Sequence, residues 1–382
     1  MGKVLEGVRI VEIAGIGPGP FCGMLLADLG AEVITIERPT ADIGTARPKQ
    51  IVNRGKRSIV LDLKSPEAID VVLRLVDTAD ALIEGMRPGV MERLGLGPEI
   101  CQTRNPALVY GRMTGWGQSG PLSQAAGHDS NYTALAGALW HTSPDSVRQH
   151  APPTVMGDIG GGALYLAIGV LAGILEVRGG GKGRVVDAAI VDGTAHMLNL
   201  LLGMVATLGG DFDKRNMFSD LAHWAGRSYR CADGKWINIA PLEPQFYAQF
   251  VELMGLSNDE RFVKGQMDTG LWPALIDELT VLFSSRTQAQ WCDVLEGSDC
   301  CFAPVLDPMA SSRHPHMAAR QTYQNIDGVL QAAPAPRFSG AGSNSVSSVP
   351  KRGEHGREIL AEVGVSDGDI AALINMGAAK LD

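Results

Sequence analysis

Three polar residues sit in apolar or glycine-rich surroundings and could carry proton chemistry. His128 lies in GHDSNYTALAGAL, Asp158 in VMGDIGGG and Glu243 in APLEPQF. A histidine with two carboxylates is a set suited to general acid/base work. His128 and Asp158 each stand where an apolar, helix-like segment begins. The N–H groups of a helix start lack intrahelical partners and favour a developing anion. Each residue also has a plainer reading. Asp129 or Ser130 would cap the helix with His128 as a loop residue, and Asp158 and Glu243 would be caps or loop residues themselves. The remaining histidines lack such settings. H-E-x-x-H, G-x-S-x-G and Walker A patterns do not occur, which removes those hydrolase and nucleotide-binding readings.

Two further features concern ligands. AGIGPGPFCG, followed by Glu37 at the end of the next apolar run, imitates a dinucleotide fingerprint, but the third glycine position falls on Pro20. The alternative is a tight strand-to-helix turn with proline at the first helical position. Seven cations (Arg38, Arg47, Lys49, Arg54, Lys56, Arg57 and Lys64) cluster early in an acidic chain. They would hold phosphates or form a solvated face, and their interleaving with strand and loop positions favours a ligand.

These residues need a scaffold. VRIVEIA, EVITIERP, SIVLDL, DALIEGM and ALVYGRMTGWG read as strands, and PFCGMLLADLG and PEAIDVVLRLVDTA as helices between them. Alternating strands and helices predict a parallel sheet with right-handed crossovers, hence a large doubly wound, Rossmann-like α/β domain. Helical patterns dominate from Ile159 to about Ala206. SYRCADGKWINIAP predicts a hairpin turning at Asp233–Gly234, followed by amphipathic helices EPQFYAQFVELMGL and WPALIDELTVLFSSR. SGAGSNSVSSVPKRG reads as a connector to two short helices. The predicted organisation is a large domain of residues 1–190 plus about 316–382, a linker over 191–224, and a smaller α+β domain over 225–315.

The bulk properties are those of a soluble globular protein, and 382 residues favour two domains. A net charge of −9 argues against a nucleic-acid partner. None of the six cysteines forms a C-x-x-C pair, so they predict no zinc site and a reducing, cytoplasmic setting. No cleaved leader is expected. The longest apolar stretch, ALYLAIGVLAGILEV, is short and broken by glycine, so no membrane association is expected either.

LEGVRIVEIAGIGPGPFCGMLLADLGAEVITIERP, RGKRSIVLDLK, RPGVMERLGLGPE, GRMTGWGQSGP, AGHDSNYTALAG, GKGRVVDAAIVDG, LEPQFYAQF and DCCFAPVL follow one another in order. Over nearly its whole length the chain thereby resembles the α-methylacyl-CoA racemases of the type III CoA-transferase superfamily. The resemblance implies an interlocked homodimer, with an active site between the large domain of one chain and the small domain of the other. It implies an acyl-CoA thioester substrate, whose CoA is part of the substrate and not a separate cofactor, and no metal. His128 and Asp158 match the acid/base pair, and Glu243 the residue that orients the histidine. Arg38, Leu61, Asp62, Leu63, Lys64, Arg87, Arg93, Gly127, Asp129, Ser130, Asn131 and Tyr132 match acyl-CoA-contacting blocks, joined by Arg54 from the basic cluster. The implied reaction is racemisation of 2-methylacyl-CoA by 1,1-proton transfer through an enolate. Two other outcomes are a CoA-transferase using Asp158 as nucleophile and a non-catalytic acyl-CoA-binding protein. LAHWAGRSYR departs from the family's glycine-rich pattern near the expected acyl pocket.

Overall fold

The computed structural model describes residues 3–40, 47, 49–141, 152–207, 222–339 and 346–381. Apolar runs of four to six residues form six parallel strands: β1 (Arg9–Ile13), β2 (Glu32–Glu37), β3 (Arg57–Leu61), β4 (Ala81–Glu84), β5 (Val109–Thr114) and β6 (Val185–Ala189). Their spatial order is 3-2-1-4-5-6, and Ala379–Lys380 pairs antiparallel with the outer edge of β3.

Alternate residues of each strand serve opposite faces. Val11, Ile34, Ile59 and Leu82 pack with Val72 and Leu75 of helix Pro66–Val76 and with Ile359 and Ile370 of the C-terminal helices. Ile10, Val33, Ile83 and Val109 pack with Leu26 of helix Pro18–Asp28 and with Leu166 and Val170 of helix Leu164–Arg178. The sheet is therefore wound on both sides.

The contacts divide the chain into two compact units. The first is Met1–Leu139, Ala151–Asn199 and Arg320–Asp382; the second is Trp140–His150 and Leu200–Ala319. The second has its own core around Tyr229, Phe250, Phe283 and Trp291. Its sheet is antiparallel, β7 (Arg227–Arg230), β8 (Trp236–Ile239) and β9 (Phe302–Val305), with β8 central.

The structure differs from the sequence reading at several points. VVDAA is strand β6, not the start of a helix; it is an edge strand, with Val185 46% exposed, and so lacks an uninterrupted buried run. Residues 191–207, half of the expected linker, carry the expected helical pattern, in Ile190–Met197 and Asn199–Thr207. The remainder of that linker up to 221, and connector residues 340–345, lie outside the described residues. β9 and a hairpin at Tyr323–Ile326 and Val329–Ala332 were not expected. Val155–Arg178 and Ile190–Thr207 are long and apolar enough to cross a bilayer, and 44% of the most apolar part of the first is buried within the protein.

Candidate active site

In a parallel 3-2-1-4-5-6 sheet the order in which strands are added reverses between β1 and β4, and a crevice opens at the carboxyl ends of the strands there. A cavity of about 380 Å³ occupies this place. It is lined by the turn after β1 (Gly15–Pro20), the end of β4 (Ile83–Pro88), the end of β5 (Met113–Trp116), Ala125–His128, Tyr132 and Asp158. All of these belong to the first unit.

The glycine–proline turn is the tight turn rather than a dinucleotide loop. Gly17 takes φ 76°, a glycine conformation, and Pro18 opens the helix. A Cβ on Gly17 would stand 3.5 Å from Asp158 Oδ2, so the turn forms one wall of the site. Glu37 is no ribose ligand. It is 5% exposed and holds Arg47 at 2.7 and 2.8 Å and Arg352 at 3.0 Å.

His128 is exposed and immediately precedes helix Asp129–Leu135; its N–H donates to Asn131 Oδ1 at 3.0 Å. The glycine before it makes room for aromatics. A Cβ on Gly127 would come within 2.7 Å of the Tyr132 ring and 3.1 Å of Trp116. Tyr132 packs edge-on against Trp116, with centroids 4.7 Å apart, and its hydroxyl donates to the Gly127 carbonyl.

Asp158 is half-buried in the π-helical segment Val155–Ala163, which runs on into helix Leu164–Arg178. Wide helical turns of this kind are frequent at functional sites. Burial raises its pKa above the usual aspartate value, the Asp129 charge adds to this, and His128 opposes it. Asp158 and His128 are thus electrostatic neighbours on one cavity, on separate helical segments. Asp129 is buried, and its Oδ1 accepts from Gly157 N at 3.0 Å and Asp158 N at 2.8 Å.

Glu243 belongs to the second unit, exposed at the start of helix Pro244–Leu253. The atypical LAHWAGRSYR segment is also there. His223, Trp224 and Ala225 are buried within that unit, and His223 Nε2 lies 2.7 Å from the Tyr247 hydroxyl.

Most of the basic cluster is spent on structure. Arg54, read as a CoA ligand, is buried on Asp28 at 2.6 Å and also donates to the Ala332 carbonyl at 2.9 Å. Lys56 lies buried on Glu12, and Arg57 bridges Glu32 and Glu362. Leu61 is fully buried and offers no side chain to a ligand, whereas Leu63 is half-buried beside the same core. Asp62 Oδ1 accepts from Lys64 N at 3.1 Å. Arg38, Lys64, Arg87 and Arg93 are exposed cations near the carboxyl ends of β2, β3 and β4; Arg87 lines the cavity and Arg38 touches Met86 of its wall. Ser130 and Asn131 are exposed on the first turn after His128.

Glu84 escaped the sequence reading, although a carboxylate closing the apolar run ALIEG was a signal. It is 2% exposed on the cavity wall, accepts from Met86 N at 2.6 Å and Arg112 Nε at 3.1 Å, and burial pushes its pKa up to about 7. Among the described residues no group of three or more potential ligands is placed to hold a metal.

A doubly wound α/β protein with a histidine and a half-buried aspartate lining one cavity at its switch point is the class that fold and site define. More particularly, residues 5–356 match CoA-transferase family III, and the chain belongs to that family. It is 37% identical over 371 residues to human alpha-methylacyl-CoA racemase, covering 97% of this chain and 96% of the relative. A succinyl-CoA–D-citramalate CoA-transferase of Chloroflexus aurantiacus is 30% identical and covers 97% of each chain. Among solved structures, a CAIB/BAIF family protein from Brucella suis superposes with TM-score 0.77 at 28% identity, covering 95% of this chain and all of the other.

Proposed function

We propose that the protein is an isomerase that interconverts the enantiomers of 2-methylacyl-CoA thioesters. The observation that carries this reading is that His128 and Asp158, carried on separate segments, line one cavity at the sheet's switch point. One takes the proton from the carbon alpha to the thioester and leaves its electron pair in an enolate. The other returns a proton to the opposite face. Asp158 is suited to holding a proton because burial and Asp129 disfavour its charged form. The first-turn N–H groups of Asp129 and Ser130 lack intrahelical acceptors and would stabilise charge on the thioester oxygen. Arg38, Lys64, Arg87 and Arg93 would take the phosphates of CoA. CoA arrives as part of the substrate, and no separate cofactor enters the reaction.

A homodimer completes the site in this reading. The small unit of one chain closes the cavity of the other, and the partner's Glu243 orients His128. Exposed apolar side chains support such an assembly: Ile168 and Leu175 on helix Leu164–Arg178 are 63% and 70% exposed, and Leu200 on helix Asn199–Thr207 is 77% exposed. Sedimentation over a dilution series should find a dimer, and an active monomer would remove this part. The unpaired thiols suit the cytoplasm.

The transferase relatives favour a second reading. There the Asp158 carboxylate attacks the thioester carbonyl, the C–S bond breaks, CoA thiolate leaves, and a mixed anhydride remains. One experiment separates the two. Each 2-methylacyl-CoA enantiomer is incubated in heavy water, and alpha deuterium is read beside a hydroxylamine trap. The racemase exchanges the alpha proton of both enantiomers, and His128→Ala and Asp158→Ala each abolish racemisation, each suppressing exchange mainly from a different enantiomer. Trapped acyl on Asp158 without alpha exchange would establish the transferase. Binding with neither would leave an acyl-CoA-binding protein.

A further inference from the structure

The two proton-transfer groups are carried by different backbone segments, so something must fix their separation. The residue after His128 does this. Asp129 is 8% exposed, and its Oδ1 accepts two N–H groups from the other segment, Gly157 at 3.0 Å and Asp158 at 2.8 Å. These are early donors of the Val155–Ala163 turn, which Thr154 at its start does not cap with its side chain. Gly157 is shaped for the contact: a Cβ there would lie 2.5 Å from Asp129 Oδ1 and 2.9 Å from Thr133 Cγ2. Fully buried Thr133 in turn donates to the Asp129 carbonyl at 3.1 Å.

We propose that the Asp129 carboxylate is a positioning residue, a clamp across the two segments that holds Asp158 in register with His128. It acts through Asp158 and touches no reacting atom. The inference rests on the proton-transfer reading above. The clamp has a second effect, because it sets a negative charge beside Asp158. The titratable groups facing Asp158 are Asp129, His128 and Tyr132. Loss of the Asp129 charge lowers the pH at which Asp158 ionises.

The test compares the wild type with Asp129→Ala and Asp129→Asn, following alpha-deuterium exchange from each enantiomer across pH. Asp129→Ala should lower kcat roughly 10²-fold, the scale of a misplaced reacting group, with KM little changed. Asp129→Asn keeps the acceptor oxygen and should recover most of that loss. It should also move to lower pH the acid limb of kcat/KM for the enantiomer that Asp158 deprotonates, a change that a purely structural role does not produce. Wild-type kcat in Asp129→Ala, or an unmoved acid limb in Asp129→Asn, would overturn the clamp while leaving the racemase reading intact. If Asp129→Ala fails to fold, the Asp129→Asn profile alone decides. Absence of exchange in the wild type would overturn the proton-transfer reading, and the clamp with it.

Discussion

Lys56 Nζ lies 2.7 Å from Glu12 Oε2 with both side chains 1% exposed, and it also donates to the Pro20 carbonyl at 2.9 Å. The pair therefore ties the N-terminal end of β3 to β1 and to the turn that walls the cavity. Removing one member leaves the other charged or unpaired in the core, which typically costs about 3–5 kcal/mol. Lys56→Ala should lose stability on that scale in urea unfolding. A change below about 1 kcal/mol, the range of exposed pairs, would show the buried charge to be of little consequence.

The same contrast separates the cations of the early segment. Arg38 and Lys64 are exposed, whereas Arg54 is sealed against Asp28. Arg38→Ala and Lys64→Ala should each raise KM for acyl-CoA roughly 10-fold with kcat nearly unchanged, since a phosphate contact is equal in ground and transition states. Arg54→Ala should instead lower stability by an amount comparable to the Lys56 variant. Titration with free CoA and thermal melting distinguish these outcomes; unchanged CoA affinity in both exposed variants would count against the phosphate site.

What the sequence disclosed follows from the range of the interactions. Strands β1–β5 were legible because buried parallel strands are short apolar runs between punctuating turns. His128 and Asp158 stood out because polar residues opening apolar segments are local signals. The partners of Arg47, Arg54, Lys56 and Arg57 were not legible. Glu37, Asp28, Glu12 and Glu362 lie 10, 26, 44 and 305 positions away, and only the folded sheet brings them together. The Asp129 contact is hidden for the same reason, since 29 positions separate it from the Asp158 amide. Trp224 and Ala225, in the segment expected near the acyl pocket, are buried in their own unit, and a departure from a family pattern does not reveal burial.

Glu84 gives a prediction in pH. Burial raises its folded pKa from 4.5 to about 7. The folded protein therefore binds more protons than the unfolded chain between these values. This contribution is full below pH 4.5 and is lost as pH rises to 7, on the order of 3 kcal/mol at about 1.36 kcal/mol per pH unit. Glu84→Gln does not titrate and keeps one acceptor oxygen, enough for the Met86 N–H or for Arg112 but not for both. Urea unfolding at pH 5 and pH 7 should show a smaller loss of stability on raising the pH in Glu84→Gln than in the wild type. Equal losses in the two proteins would rule Glu84 out as the source.

Gly115 tests the aromatic wall. It follows β5, and a Cβ added there would stand 2.0 Å from Cζ of Tyr132, closer than any real contact. Tyr132 has little freedom to yield, because its ring packs on Trp116 and its hydroxyl holds the carbonyl of Gly127, next to His128. In Gly115→Ala the ring must move, and the backbone entering His128 with it. Overpacking of this kind typically costs about 1–3 kcal/mol, so the variant should fold with a lowered melting temperature. The proton-transfer geometry is less tolerant, and kcat should fall roughly 10²-fold. The CoA end, assigned in the proposed reading to cations near the ends of β2, β3 and β4, is untouched, so affinity for free CoA should stay within a few-fold of the wild type. Exchange rates from both enantiomers, measured beside CoA titration, give the decision. A folded Gly115→Ala with wild-type exchange would mean that Tyr132 does not set the position of His128.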